Sequence, residues 1–227
     1  MDIVDFHAHI IPGADHGSSS VEVSVNQLSL AQQSGVTRIV ATPHFYPARD
    51  SVESFLERRN RHFAELAREN NTECKVRLGA EVLICDNLES MPGLEKLCIS
   101  GTNTLLLELP FTDFEKQYIF TVKTLIARGF NVVLAHADRY EPENIEKLVS
   151  LGAKIQLNAS SLVGLFKPKR LYNWMERELV VALGSDIHGA DKKYYKNFVT
   201  AKNKIGEHLL HIKKRSDEIW DRSKEIL

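Results

Sequence analysis

Short runs of β-branched and leucine-rich residues alternate along the chain with longer amphipathic stretches. The runs Asp2–Phe6, Arg38–Ala41, Lys75–Ala80, Thr104–Leu107, Asn131–Leu134, Lys154–Leu157 and Val180–Leu183 predict seven strands. Between them apolar positions recur at helical spacing. One helix is expected from about Val21 to Ser34, closed by Gly35, and a second from about Val52 to Asn70, with Ser51 as N-cap. Others are expected over roughly Glu115–Arg128, Pro142–Leu151 and Pro168–Glu178, with two or three more after Asp191. Repeated strand–helix units imply parallel strands, because a parallel crossover needs a long connection. The pattern therefore predicts an α/β fold, a closed or nearly closed seven-stranded (β/α) barrel. An open dinucleotide-binding sheet lacks its signal: no G-x-G-x-x-G follows a strand, and no P-loop sequence is present.

Composition narrows this picture. A chain of 227 residues with 43% hydrophobic content can bury one large core, and no linker-like stretch divides it, so residues 1–227 read as a single domain. The net charge of −1 argues against a general nucleic-acid or membrane-surface binder. The Lys and Arg residues of the last third read as solvated helix faces. No apolar run is long enough to span a bilayer, no leader-like segment precedes the first strand, and three unpaired cysteines suit a reducing compartment. The expectation is a cytoplasmic protein.

The chemistry lies where the predicted strands end. His7 and His9 follow the first, His44 the second, Glu81 the third, Glu108 the fourth, His136 the fifth, and Asp186 and His188 the seventh. In a parallel barrel these ends converge on one face. Residues i and i+2 of an extended strand share a side, so His7 and His9 can reach one cation together, as can Asp186 and His188. Each residue alone has a plain structural reading: a core histidine, an ion-paired Glu108, an Asp186 that caps a helix. Together they would be several buried polar groups at one barrel mouth with no charge to balance them, and divalent cations supply that balance. Imidazole and carboxylate without thiolate suit Mn²⁺, Fe²⁺, Zn²⁺ or Mg²⁺. The donors outnumber what one ion needs, which implies two or three ions, with Glu81 and Asp186 able to bridge. A cysteine-based phosphatase is excluded: the sixth residues after Cys74, Cys85 and Cys98 are Ala80, Met91 and Thr104, none of them Arg.

The segments His7-Ala-His9, Ala-Thr-Pro-His44, Gly-Ala-Glu81, Leu-Glu108, Ala-His136-Ala-Asp-Arg139-Tyr140 and Ser-Asp186-Ile-His188 resemble the polymerase and histidinol phosphatase (PHP) superfamily. Within it the resemblance is to the bacterial capsule-type tyrosine-protein phosphatases, from Asp2 to about Gly189, and Gln156-Leu-Asn158-Ala-Ser160-Ser161 resembles that group's sixth-strand end. The resemblance implies a distorted, TIM-like seven-stranded barrel with three metal ions, manganese foremost. His7, His9, Glu81 and Asp186 would hold one ion, Glu81, Glu108 and His136 a second, and His44 and His188 a third with an acidic residue from the loop after strand one. That group reads Asp-Asp-Gly in this loop, whereas this chain reads Asp15-His16-Gly17. Either His16 replaces the carboxylate or Asp15 shifts in; position favours His16.

The expected reaction is phosphoester hydrolysis by a hydroxide bridging two ions, with Arg139 gripping phosphate oxygens and His44 and Asp186 in the catalytic centre. The plain reading of Arg139 is a loop salt bridge with a neighbour such as Glu141. A phenolate, with a pKa of about 10, leaves more readily than an alkoxide and suits a tyrosine ester. Phe45, Tyr46 or Phe111 could support its ring, although core packing is the simpler reading of Phe111. The resemblance implies as substrate the phosphotyrosine tail of a bacterial tyrosine kinase of capsule or exopolysaccharide synthesis. Alternatives are a small-molecule phosphatase of the histidinol-phosphatase type, a nuclease or proofreading domain, which would need a basic groove, and a metal-free scaffold. The segment with Ile219, Trp220 and Ile226 packs either on its own barrel or, in an oligomer, on a second subunit.

Overall fold

The computed structural model of the protein describes residues 2–111 and 114–223. Nine parallel strands form one curled sheet: β1 (Asp5–Ala8), β2 (Arg38–Ala41), β3 (His44–Phe45), β4 (Lys75–Leu78), β5 (Glu81–Leu83), β6 (Thr104–Glu108), β7 (Asn131–Leu134), β8 (Lys154–Asn158) and β9 (Val180–Gly184). The hydrogen-bonded order is β3-β5-β6-β7-β8-β9-β1-β2-β4. Nine segments replace the seven expected because two runs are broken. Thr42-Pro43 separates β2 from β3, and Gly79-Ala80 separates β4 from β5. Proline lacks an N–H for the ladder and glycine lacks a side chain to pack on it, so both interrupt a strand.

Among the described residues seven α-helices connect and cover the strands: α1 (Val21–Gln33), α2 (Val52–Glu69), α3 (Lys116–Ala127), α4 (Pro142–Val149), α5 (Lys169–Glu176), α6 (Lys193–Lys204) and α7 (His208–Arg222). Ser51 caps α2 as expected, its side chain accepting from Ser54 N. No described helix is long and apolar enough to cross a membrane.

Alternation along the strands sorts the core into two sides. Outward residues such as Ile39, Leu105, Leu107, Val132 and Ile155 pack under the helices in the larger cluster. Inward residues Phe6, Val40, Leu106, Val133 and Ala182 form a second cluster on the concave side, together with Ile219 and Trp220 of α7. Helix α7 thus plugs the strands from within its own chain; Ile226 lies outside the described residues. Trp220 sits under the Arg77 guanidinium, 4.5 Å from carbon to ring centroid, and Arg38 joins Asp2 to Asp217 of α7 at 2.7 and 2.8 Å.

Candidate metal centre

The side chains above the concave core come from the same inward phase. Thr104, Leu106 and Glu108 alternate along β6, so Glu108 stands one layer above Leu106. Gln156 and Asn158 occupy the equivalent positions of β8. Strand β1 reaches this phase differently. Its register shifts between Asp5, opposite Ile39, and Ala8, opposite Ala41. Three steps on β1 match two on β2, a bulge that re-aims the following side chains. Val4 and Phe6 face inward before it, and His7 and His9 face inward after it. His7 therefore lies inside β1, not beyond it, His44 and Glu81 begin β3 and β5, and Glu108 ends β6.

Eight of the nine ligand residues expected from sequence meet here; all of these except His188 are buried. Glu81 is the centre. Its Oε2 lies 3.1 Å from His7 Nε2, 3.2 Å from His9 Nε2 and 3.0 Å from His44 Nδ1, and its Oε1 lies 2.7 Å from His136 Nε2. Glu108 approaches His44 and His136 at 3.5 and 3.7 Å. Asp186 Oδ1 lies 3.4 Å from His9 Nε2 and 3.5 Å from His188 Nδ1. Three overlapping groups could each hold an ion: His7, His9 and Glu81; His44, Glu81 and Glu108; His9, His44 and His188.

The tautomers test this reading. Gln156 Oε1 accepts from the backbone N–H of His136 at 2.7 Å, which fixes its amide orientation, and it also accepts from His7 Nδ1 at 3.0 Å. His9 Nδ1 donates to Asp15 Oδ2 at 2.7 Å. With both Nδ1 atoms committed as donors, the two Nε2 lone pairs face each other at 3.0 Å, beside Glu81 Oε2. Glu81 Oε2, His44 Nδ1 and His188 Nε2 are buried without a hydrogen-bond partner. Converging electron pairs and unpartnered buried acceptors fit cations, and His7, His9 and His188 each have on the other ring nitrogen a supporting partner of the kind metal-binding histidines use.

The electrostatics agree. Burial penalises the charge of Glu81, yet His7, His136 and His44 hold its carboxyl well below the usual range. Burial opposes a charge on His44, but Glu108 and Glu81 lift its pKa to about 9. His9 rises well above an ordinary imidazole, with Asp15, Asp186 and Glu81 outweighing its burial. His188 moves down to about 4 through burial and repulsion from His9, leaving a neutral ring with a free lone pair. Protons and cations compete for these electron pairs.

In the loop after β1, Asp15 is engaged by hydrogen bonds from neighbouring segments. Its Oδ2 accepts from His9 Nδ1 and from His44 N at 2.9 Å, and its Oδ1 accepts from Gly17 N at 2.8 Å. Asp15 thereby orients two histidine segments. His16 is exposed and belongs to none of the three groups, although its ring stacks on His44 at 4.9 Å and lies 4.7 Å from that of His188. Gly17 cannot be replaced without displacement, since a Cβ there would stand 2.1 Å from His9 Cβ.

Arg139 pairs with Asp186 at 2.5 Å, not with Glu141, and stays 42% exposed on the wall of a cavity of about 460 Å³. Tyr46, Phe111, Ser160 and Tyr194 complete that wall. Two expectations about aromatic residues reverse. Phe45 is a core residue, edge-on to Phe55, while Phe111 is 70% exposed at the cavity mouth and stacked on His136 at 6.2 Å. Sequence reasoning also passed over several supporting residues. Asn158 Nδ2 donates to Asp186 Oδ2 at 2.9 Å, and Asp138 accepts from Asn158 N at 2.8 Å. Arg170 donates to the carbonyls of Asp138 and Tyr140, holding the turn that carries Arg139. His136 and Asp186 adopt left-handed backbone conformations, with φ of 31° and 53°, unusual outside glycine and concentrated at functional sites. The alternation of Gln156 and Asn158 could have been read from sequence; the other contacts carried no local signal.

A curled parallel sheet with imidazoles and carboxylates at the strand ends places the protein among α/β proteins built around a His/carboxylate metal centre. More narrowly, the chain belongs to the capsular polysaccharide synthesis CpsB/CapC family, whose profile matches residues 3–212. It is 28% identical over 211 residues to the tyrosine-protein phosphatase CpsB of Streptococcus pneumoniae, covering 84% of this chain and 85% of that protein. It is 31% identical over 205 residues to the putative tyrosine-protein phosphatase CapC of Staphylococcus aureus, covering 82% and 77%. Among solved structures, one described as the metal-dependent tyrosine phosphatases YwqE of Bacillus subtilis and CpsB of S. pneumoniae superposes with a TM-score of 0.79 at 22% identity, over 99% of this chain and 96% of that one.

Proposed function

We propose that this chain is a metal-dependent protein-tyrosine phosphatase acting on the phosphotyrosine tail of a bacterial tyrosine kinase of capsule or exopolysaccharide synthesis, in the cytoplasm. The observation that carries the reading is the convergence of His7, His9, His44 and His136 on Glu81 at 2.7–3.2 Å, within a family whose relatives are named tyrosine phosphatases. The nine strand segments form seven staves of a distorted barrel, because β2 and β3 pair with β4 and β5 in turn. The barrel is one domain.

His7, His9, Glu81 and Asp186 would hold one divalent ion, Glu81, Glu108 and His136 a second, and His44 and His188 a third, with manganese as the expected metal. Bound ions of this kind lower the pKa of water towards neutrality and neutralise developing charge on phosphoryl oxygens. The protein's own groups do the rest. Arg139, exposed and hinged on Asp186, offers donors to the phosphate. Gln156 and Asp15 hold His7 and His9 in the tautomers that leave both Nε2 atoms free. The phenolate leaving group needs less protonation than an alkoxide.

The test is turnover of a phosphotyrosine peptide by Mn²⁺-loaded protein, beside histidinol phosphate, with His136→Ala as control. The expected result is preference for the peptide and loss of activity in the variant. Preference for histidinol phosphate would replace this reading with the small-molecule phosphatase.

A further inference from the structure

Phe111 is a ridge with a cavity on each side. One is the metal-lined cavity. The other, of about 190 Å³, shares only Phe111 and Arg139 with it. Its lining includes the rings of Phe111, Phe114, Tyr118 and Tyr140, together with Leu109. Phe111 stacks on Tyr140 at 5.7 Å, and Phe114 meets Tyr118 edge-on at the same centroid distance. The lip is polar: Glu141 and Asn144 border it, and Lys147 lies over Phe114 while donating to Asn144.

We propose that this second cavity is a subsite for an aromatic side chain of the substrate peptide, two residues from the phosphotyrosine. The inference rests on the proposed function and adds to it the sequence context the enzyme selects. Three observations carry it. The cavity borders the catalytic one, with Phe111 and Arg139 lining both. An apolar cavity of about 150 Å³ accommodates a benzene-sized ring, so 190 Å³ takes a phenyl or phenol group. Four aromatic rings around it offer the edge-to-face and offset contacts that aromatic guests prefer. In an extended peptide, side chains two apart leave the same face about 7 Å apart, which suits two cavities divided by one ring. A ring bound on each side also accounts for Phe111, a large apolar side chain left 70% exposed at the ridge.

The experiment scans a phosphotyrosine peptide of otherwise Ala/Ser sequence, placing Phe singly at −2, −1, +1 and +2. Two quantities are read on Mn²⁺-loaded protein: kcat/KM for hydrolysis, and Kd for the same peptides carrying a non-hydrolysable phosphonate. The expected result is a gain of about fivefold to tenfold at −2 or +2, expressed in KM and Kd more than in kcat. Asn144→Trp, which fills the lip, should bring the ratio of Phe to Ala peptides close to one. Equal Kd at all positions, a gain only at −1 or +1, or a uniform gain from added hydrophobicity overturns the subsite. Because the Kd scan needs no turnover, failure to hydrolyse any tyrosine phosphate would count against the proposed function and leave the subsite to be judged on binding.

Discussion

At the residue scale the site depends on what stands behind the ligands. Gln156 takes the backbone N–H of His136 and the Nδ1–H of His7 on one oxygen, and so aligns two of the proposed ligands. Gln156→Leu keeps the volume but removes the acceptor, so His7 can turn or change tautomer. The expected outcome is a 10- to 100-fold loss of metal affinity or activity, as for other supporting partners of metal-bound histidines. Metal content after dialysis and the Mn²⁺ dependence of phosphatase rate would check it, with circular dichroism unchanged. The paired histidines of β1, the Ala-Thr-Pro-His44 segment and the Asp186/His188 pair were legible in sequence because strand periodicity fixes which residues share a side. The role of Asp15 was not. A carboxylate beside a histidine reads equally well as a ligand or as a ligand's support, and its hydrogen bonds from His9 Nδ1, His44 N and Gly17 N appear only in the folded chain.

At the scale of elements, strand interruptions and a bulge do what regular strands could not. The pattern gave the number of crossovers and most helix ends to within a residue or two. It placed His7 beyond the first strand, although the structure has it inside β1, after a bulge that has no signature in Asp5-Phe6-His7-Ala8. Periodicity states that His7 and His9 share a face; it does not state which. Helix α7 shows the complementary point. Ile219 and Trp220 read as an apolar stripe that either its own strands or another subunit could cover, and both are buried in the concave cluster of the same chain. Trp220→Ala should therefore destabilise the fold by about 3–5 kcal/mol, the usual cost of deleting a buried large aromatic. Urea denaturation would measure it as a lower midpoint with little change in slope. An unchanged midpoint would mean that α7 is not a structural plug.

For the whole molecule, the balance between protons and metal sets the pH response. In the metal-free protein His44 keeps its proton up to about pH 9, and His9 is likewise raised, because carboxylates surround both. A cation must displace those protons, so metal affinity should rise with pH through the neutral range. Calorimetric titration with Mn²⁺ at pH 6.5, 7.5 and 8.5 should show tightening at each step, with proton release in buffers of different ionisation enthalpy. Flat affinity would mean that the imidazoles are already unprotonated. The sequence by itself determined the parallel α/β class, the placement of ligand-type residues at strand ends and the absence of a cysteine nucleophile loop, since these follow from local periodicity and counting. Only the tertiary structure decided the rest: that β1 turns His7 and His9 inward, that Asp15 accepts from His9 and His44, that Arg139 leans on Asp186, and that Phe111 and not Phe45 stands at the mouth. Each of those is a contact between segments far apart in the chain or a choice between two faces, and no residue's neighbours in sequence carry that information.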